Sequence, residues 1–71
     1  MDKGLLLNEL YHSIDSRKHF IKVVKQTSVR DVEEYTLTLE QLEAEGKIIY
    51  EECRLHRDTF ELFIRIRGWI K

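Results

Sequence analysis

The stretch Leu39-Glu-Gln-Leu42-Glu-Ala-Glu-Gly46-Lys-Ile48, continuing into Ile49-Tyr-Glu-Glu-Cys-Arg-Leu55, decides how this chain is read. Leu39 and Leu42 are three apart and share a helix face. Gly46 suits the left-handed residue that ends a helix. Beyond it the apolar period drops from about 3.5 to about 2, the signature of a helix giving way to strands. The reading is therefore a helix, a glycine stop and a β-hairpin.

Working upstream, Asp31-Val-Glu-Glu34 has the form of a capping box, and Val32, Tyr35, Leu39 and Leu42 then recur as a narrow apolar stripe. This predicts a helix over 32–45. A strand at Tyr35-Thr-Leu-Thr-Leu39 followed by a short helix capped by Thr38 competes with it, because threonine is a poor helix former. Residues 4–15 carry Leu6, Leu7, Leu10, Tyr11 and Ile14 at helical spacing, with Asp15 and Ser16 as stop residues. Residues 17–27 fit either state. Phe20, Ile21, Val23 and Val24 share a helix face, yet they are the aromatic and β-branched types that favour strands. A short helix is the reading adopted.

Downstream, 47–55 and 59–67 read as two strands joined near His56-Arg57-Asp58. Phe60, Leu62, Ile64 and Ile66 alternate with Glu61, Phe63, Arg65 and Arg67. Ile48, Tyr50, Cys53 and Leu55 are placed inward on the first strand, and Trp69 is expected to fold back onto the core. The expected core is Tyr11, Phe20, Val24, Val32, Tyr35, Leu39, Leu42, Ile48, Phe60, Leu62, Ile64 and Trp69. The fold class that follows is α+β, one domain over 1–71, with three helices and a C-terminal hairpin. The alternative is α-β-β-α-β-β, with strands near 19–25 and 33–38.

Composition bounds the function. A 71-residue chain buries only about 60% of its unfolded surface, which leaves little room for a catalytic pocket. There is no glycine-rich phosphate loop and no paired His/Cys or Ser/His arrangement at an identifiable turn, so an enzyme is not expected. Cys53 is the single cysteine and excludes an intramolecular disulfide. Cys53 and His56 have C-x-x-H spacing but lack a second pair of ligands, and no metal or other cofactor is expected. Lys3-Gly-Leu-Leu-Leu7 is too short for a secretory or membrane segment, and a cytoplasmic protein that does not engage membranes is expected.

The net charge of −1 hides a segregation. Residues 16–30 carry Arg17, Lys18, Lys22, Lys25 and Arg30 without an acid; residues 31–46 carry six acids without a base. Residues 54–71 are basic again, through Arg54, Arg57, Arg65, Arg67 and Lys71 against Asp58 and Glu61.

The pattern Leu39-x-x-Leu42-x-x-x-Gly46-x-Ile48 resembles the end of the third helix and the entry to the wing in the winged-helix DNA-binding regulators. Tyr35 falls where that family places an apolar core residue, and Asp31 falls near the turn before its third helix. The resemblance covers 31–55, and extends to 4–27 by helix count alone. It implies a compact regulator of transcription that binds duplex DNA, commonly as a homodimer. The outward face of the third helix departs from the family: it holds Glu33, Glu34, Leu37, Glu40, Gln41 and Ala44, and its three carboxylates would oppose phosphates. The expected nucleic-acid contacts are therefore Lys22, Lys25 and Arg30 near the second helix and Arg54, His56, Arg57, Arg65 and Arg67 on the wing. The competing expectation is a protein-interaction adaptor that docks through Glu33, Leu37, Glu40 and Ala44.

Overall fold

Local signals set where each element starts and stops. A computed structural model describes all 71 residues, Met1–Lys71. Helix α1 spans Lys3–Tyr11, and the Asp2 side chain caps it by accepting from the Leu5 N–H at 3.0 Å. It is shorter than the 4–15 expected, because Asp15 organises a turn instead. Asp15 Oδ1 accepts from the N–H groups of Arg17 and His19, Lys18 adopts a positive φ of 63°, and Ile14 bridges to Phe20.

That turn launches strand β1, His19–Lys25. The short helix expected over 17–27 is not formed. In a helix Phe20, Ile21, Val23 and Val24 would crowd one face. In the strand they divide, with Phe20 and Val24 toward the core and Ile21 and Val23 toward solvent. Pairing with a neighbouring strand decides the matter, as is usual for residues of mixed propensity.

Helix α2 spans Val29–Ala44 and is one continuous element. Its N-cap is Ser28, with Asp31 as the third residue of a reciprocal capping box. The Ser28 N–H donates to Asp31 Oδ2 at 3.1 Å, and the Asp31 N–H points back to Ser28 Oγ. The box expected at Asp31–Glu34 is thus displaced by one turn. The alternative strand at 33–38 is also overturned. Thr38 is buried inside the helix, its hydroxyl donating to the Glu34 carbonyl at 2.9 Å, so threonine's competing hydrogen bond is satisfied within the helix. The helix ends as expected at Gly46, whose φ is +75°. The Lys47 N–H donates to the Leu42 carbonyl and the Gly46 N–H to the Glu43 carbonyl, which is the Schellman arrangement.

Strands β2 (Ile48–Arg57) and β3 (Leu62–Ile70) form the expected hairpin, but its turn lies at Asp58–Glu61, beyond His56. The Asp58 N–H donates to the Glu61 carbonyl, and Asp58 Oδ1 accepts from the Phe60 and Glu61 N–H groups. The sheet order is β1-β3-β2, antiparallel throughout. The architecture is therefore α-β-α-β-β, two helices over a three-stranded sheet. Three helices followed by a free hairpin, as a winged-helix domain requires, do not form. β1 is hydrogen-bonded along β3 from His19↔Trp69 to Lys25↔Phe63, which makes the expected wing two-thirds of the sheet.

Both helices pack on one face of the sheet. Leu6 and Leu10 of α1 and Leu39 and Leu42 of α2 join Phe20, Ile48, Ile64, Ile66 and Ile70 in a single core. Lys3 and Glu45 form an ion pair linking the start of α1 to the end of α2. Four residues expected inside are not part of this core: Leu62, at the hairpin end of β3, is only half-buried and lies outside it. Tyr11 and Trp69 are exposed, and Phe60, on the hairpin turn, is 94% exposed. Phe60 keeps the parity of Leu62 and Ile64, but the turn carries it past the end of the core.

Candidate functional site

The face of the sheet away from the helices is uncovered, and register fixes its composition. Four rows cross the three strands: His19, Trp69 and Ile49; Ile21, Arg67 and Glu52; Val23, Arg65 and Arg54; Lys25, Phe63 and His56. The rows depend on a β-bulge between Tyr50 and Glu52. Before it Ile48 and Tyr50 face the helices, and after it Cys53 and Leu55 do, as expected from the sequence. The extra residue shifts the strand's phase and brings Glu52, not Glu51, opposite Arg67.

Glu52 is the centre of the face. Its Oε1 accepts from Arg65 Nε at 2.8 Å and Arg67 Nε at 3.0 Å, and its Oε2 accepts from Arg65 Nη2 at 3.2 Å. His56 Nε2 lies 3.4 Å from Oε2 without an aligned hydrogen bond. Arg67 also reaches Glu51 at 3.7 Å. The side chain of Glu52 is only 10% exposed among these cations. The Arg65 guanidinium, seconded by Arg67, holds the Glu52 carboxyl down at about 2, and Glu52 in turn raises Arg65. A carboxylate saturated in this way is no general base. It is a strut that fixes two guanidinium groups, each with N–H donors to spare.

The strut has a pH signature. Because the folded value is depressed, Glu52 contributes stability that is complete above its ordinary value of 4.5 and lost as pH falls toward about 2. Glu52→Gln is expected to unfold at lower urea than the native protein at neutral pH, with the gap closing across that acid window. Urea titrations of both proteins across the window would check it, and a gap independent of pH would refute the role.

Aromatic rings close both ends of the face. His19 and Trp69 lie with centroids 5.0 Å apart and tilted, and His56 stacks on Phe63 at 5.2 Å with an interplanar angle of 12°. Ile21, Val23 and Ile49 are exposed between and beside them.

The structure divides the residues singled out from sequence. Lys25, Arg54, His56, Arg65 and Arg67 come together on the open face. Lys22 points to the helix side, 3.3 Å from Glu9 of α1. Arg30 lies in the first turn of α2, and Arg57 sits at the hairpin end opposite Leu62. On α2, Glu33, Leu37, Glu40 and Ala44 are all exposed, Leu37 at 59%. Glu40 is engaged, however, accepting from the Tyr50 hydroxyl at 3.3 Å, beside Glu43, which accepts from the Tyr50 N–H. Trp69, Phe63, His19 and Glu52 were missed as members of a site. Period-2 alternation through Phe63, Arg65 and Arg67 reaches Trp69 next, so that signal was present.

Comparison with protein-family models, with curated proteins and with solved structures finds no match to this chain. Function must therefore be argued from the surface itself. Cys53 faces the helix layer, burial pushes its thiol up, and His56 lies on the opposite side of the sheet, so the two cannot share a metal ion. No group of three or more His, Cys, Asp or Glu side chains is placed to hold one. The concavity at residues 57–62 is an open depression lined by the hairpin turn itself. No helix is long and apolar enough to cross a membrane. The open face carries fixed guanidinium groups, aromatic rings at its ends and exposed apolar side chains.

Proposed function

We propose that this protein is a non-enzymatic nucleic-acid-binding module that works through the open face of its sheet. One observation carries the reading. Strand register gathers Lys25, Arg54, Arg65 and Arg67 on that face, with Glu51 and Glu52 among the arginines and Asp58 near Lys25 at the hairpin end, while the acidic residues of α2 lie on the other side of the molecule. A polyanion would meet the sheet as a cationic surface and the helix layer as a repelling one, which orients the encounter. Arginines held by a carboxylate and carrying spare donors suit phosphate oxygens.

Binding to a mixed oligonucleotide pool across a salt series tests this. Affinity is expected to fall steeply as salt rises, and Arg54→Gln, which removes an exposed cation, is expected to reduce the slope of log K against log salt by about 1. Leu37→Asp, on the far side, is expected to leave folding and oligonucleotide binding unchanged. Absence of binding by the folded protein at low salt would sink the reading. The exposure of Leu37 between Glu33 and Glu40 would then make the α2 strip, as a protein-docking surface, the leading alternative.

A further inference from the structure

Resting on the nucleic-acid reading, we infer that the open face takes a single strand, with bases stacked on its terminal aromatic rings and the phosphate backbone running over the arginines between. Three observations separate this occupant from a duplex.

The first is what would enter a groove. A major groove admits one helix or a two-stranded ribbon. The exposed face of α2 is acidic, and the β2–β3 ribbon is not free, because β1 is paired along it from Phe63 to Trp69.

The second is the apolar content of the face. Ile21, Val23 and Ile49 are exposed among the cations, and Trp69 is 38% exposed. Phosphates gain nothing from such groups. Unpaired bases do, because their faces are apolar and, in a duplex, are already covered by their neighbours.

The third is spacing. Trp69 and Phe63 stand six residues apart on β3, roughly 20 Å along the strand. Arg67 and Arg65 lie between them. Rings at the ends and guanidinium groups in the middle form a track for several nucleotides rather than a pocket for one. A second copy of this chain is a poorer occupant. Two open faces related by a two-fold axis would set Arg54, Arg65 and Arg67 of each copy against those of the other.

Trp69 is the only tryptophan, so the occupant can be read directly by its fluorescence. The full chain is titrated at low salt with an oligodeoxythymidine of about 12 nucleotides, a duplex of the same length and heparin, a polyanion without bases. The single strand is expected to quench Trp69 and to bind at least about tenfold more tightly than the duplex or heparin. Trp69→Ala is expected to lose about tenfold in affinity for the single strand and little for heparin, with Trp69→Phe retaining most of it. Quenching of the native protein needs no variant, so a misfolded Trp69→Ala would not protect the inference. Equal or tighter duplex binding, or unchanged Trp69 emission on binding, would overturn the single-strand inference and leave the nucleic-acid reading standing. Heparin binding as tight as the single strand would reduce the face to a polyanion site and also overturn it. No binding of any of the three would overturn both.

Discussion

Gly68→Ala is expected to destabilise the protein by at least about 3 kcal/mol, at the upper end of the cost of overpacking a core. Gly68 lies on the central strand β3, opposite Phe20 of β1 and Tyr50 of β2. A Cβ there would overlap the Ile49 carbonyl oxygen and would sit 2.7 Å from Tyr50 Cα and 2.8 Å from Phe20 Cζ. Two of these neighbours are backbone, at the edge of the bulge that sets the phase of β2, and they cannot swing aside as a side chain could. The requirement is one of space, since Gly46 is the glycine with positive φ. A domain of this size is stable by only about 4–10 kcal/mol at roughly 0.05–0.15 kcal/mol per residue. The variant should therefore lose much of its urea midpoint or fail to fold. Gly4→Ala in α1, where the nearest atom to a new Cβ is Asp2 Oδ1 at 3.5 Å, is the control and should be neutral or slightly stabilising. An unchanged midpoint for Gly68→Ala would show that the close approach of β2 to β3 is wrong.

Phe20→Ala is expected to cost about 3–5 kcal/mol, the range for removing a fully buried aromatic side chain. Phe20 is completely buried, packs in the single core and covers the bare backbone of Gly68 across the β1–β3 pair. A large ring laid over a glycine supplies contacts that the glycine lacks. The two positions are coupled, and the double variant Phe20→Ala/Gly68→Ala separates the causes. Losing the ring relieves one overlap at Gly68 but leaves the Ile49 carbonyl, so the double variant should remain far less stable than the native protein. Recovery to native stability would mean that Phe20 alone, and not the backbone of β2, denies Gly68 a side chain.

Much of the chain was legible residue by residue. The Leu39/Leu42 stripe, the Gly46 stop and the alternation of Ile64 and Ile66 with Arg65 and Arg67 report on neighbours within a turn or two residues away, and each is found as expected. The inward set Ile48, Tyr50, Cys53 and Leu55 is found as well, although its broken alternation acquires a cause only with the bulge. Where two local signals competed, the more distant partner won. Residues 19–25 became a strand because β3 offered seven register partners. The helix is capped by Ser28 and starts at Val29 because Asp31 serves as the box's acid, not as its cap.

The candidate site was legible only as a list of charges. Eight residues were named as nucleic-acid contacts. Five share the open face; Lys22 turns inward to Glu9, and Arg30 and Arg57 lie elsewhere. Trp69 is expected to fold back onto the core, and Phe60 to enter it by sharing the parity of Leu62 and Ile64. Alternation along β3 carries the first outward beside Arg67 and Arg65, and the hairpin turn carries the second beyond the core.

The sequence by itself determined the glycine stop of the long helix, the hairpin, most of the core residues and the segregation of charge along the chain. These follow from interactions within a few residues, whose partners are given by spacing. The tertiary structure alone decided that β1 exists, that it closes the hairpin into a sheet, and that one bulge opposite Gly68 places Glu52 between Arg65 and Arg67. Those outcomes depend on the register between strands far apart in the chain. A shift of one residue would exchange the two faces of the sheet, and with them the core and the site.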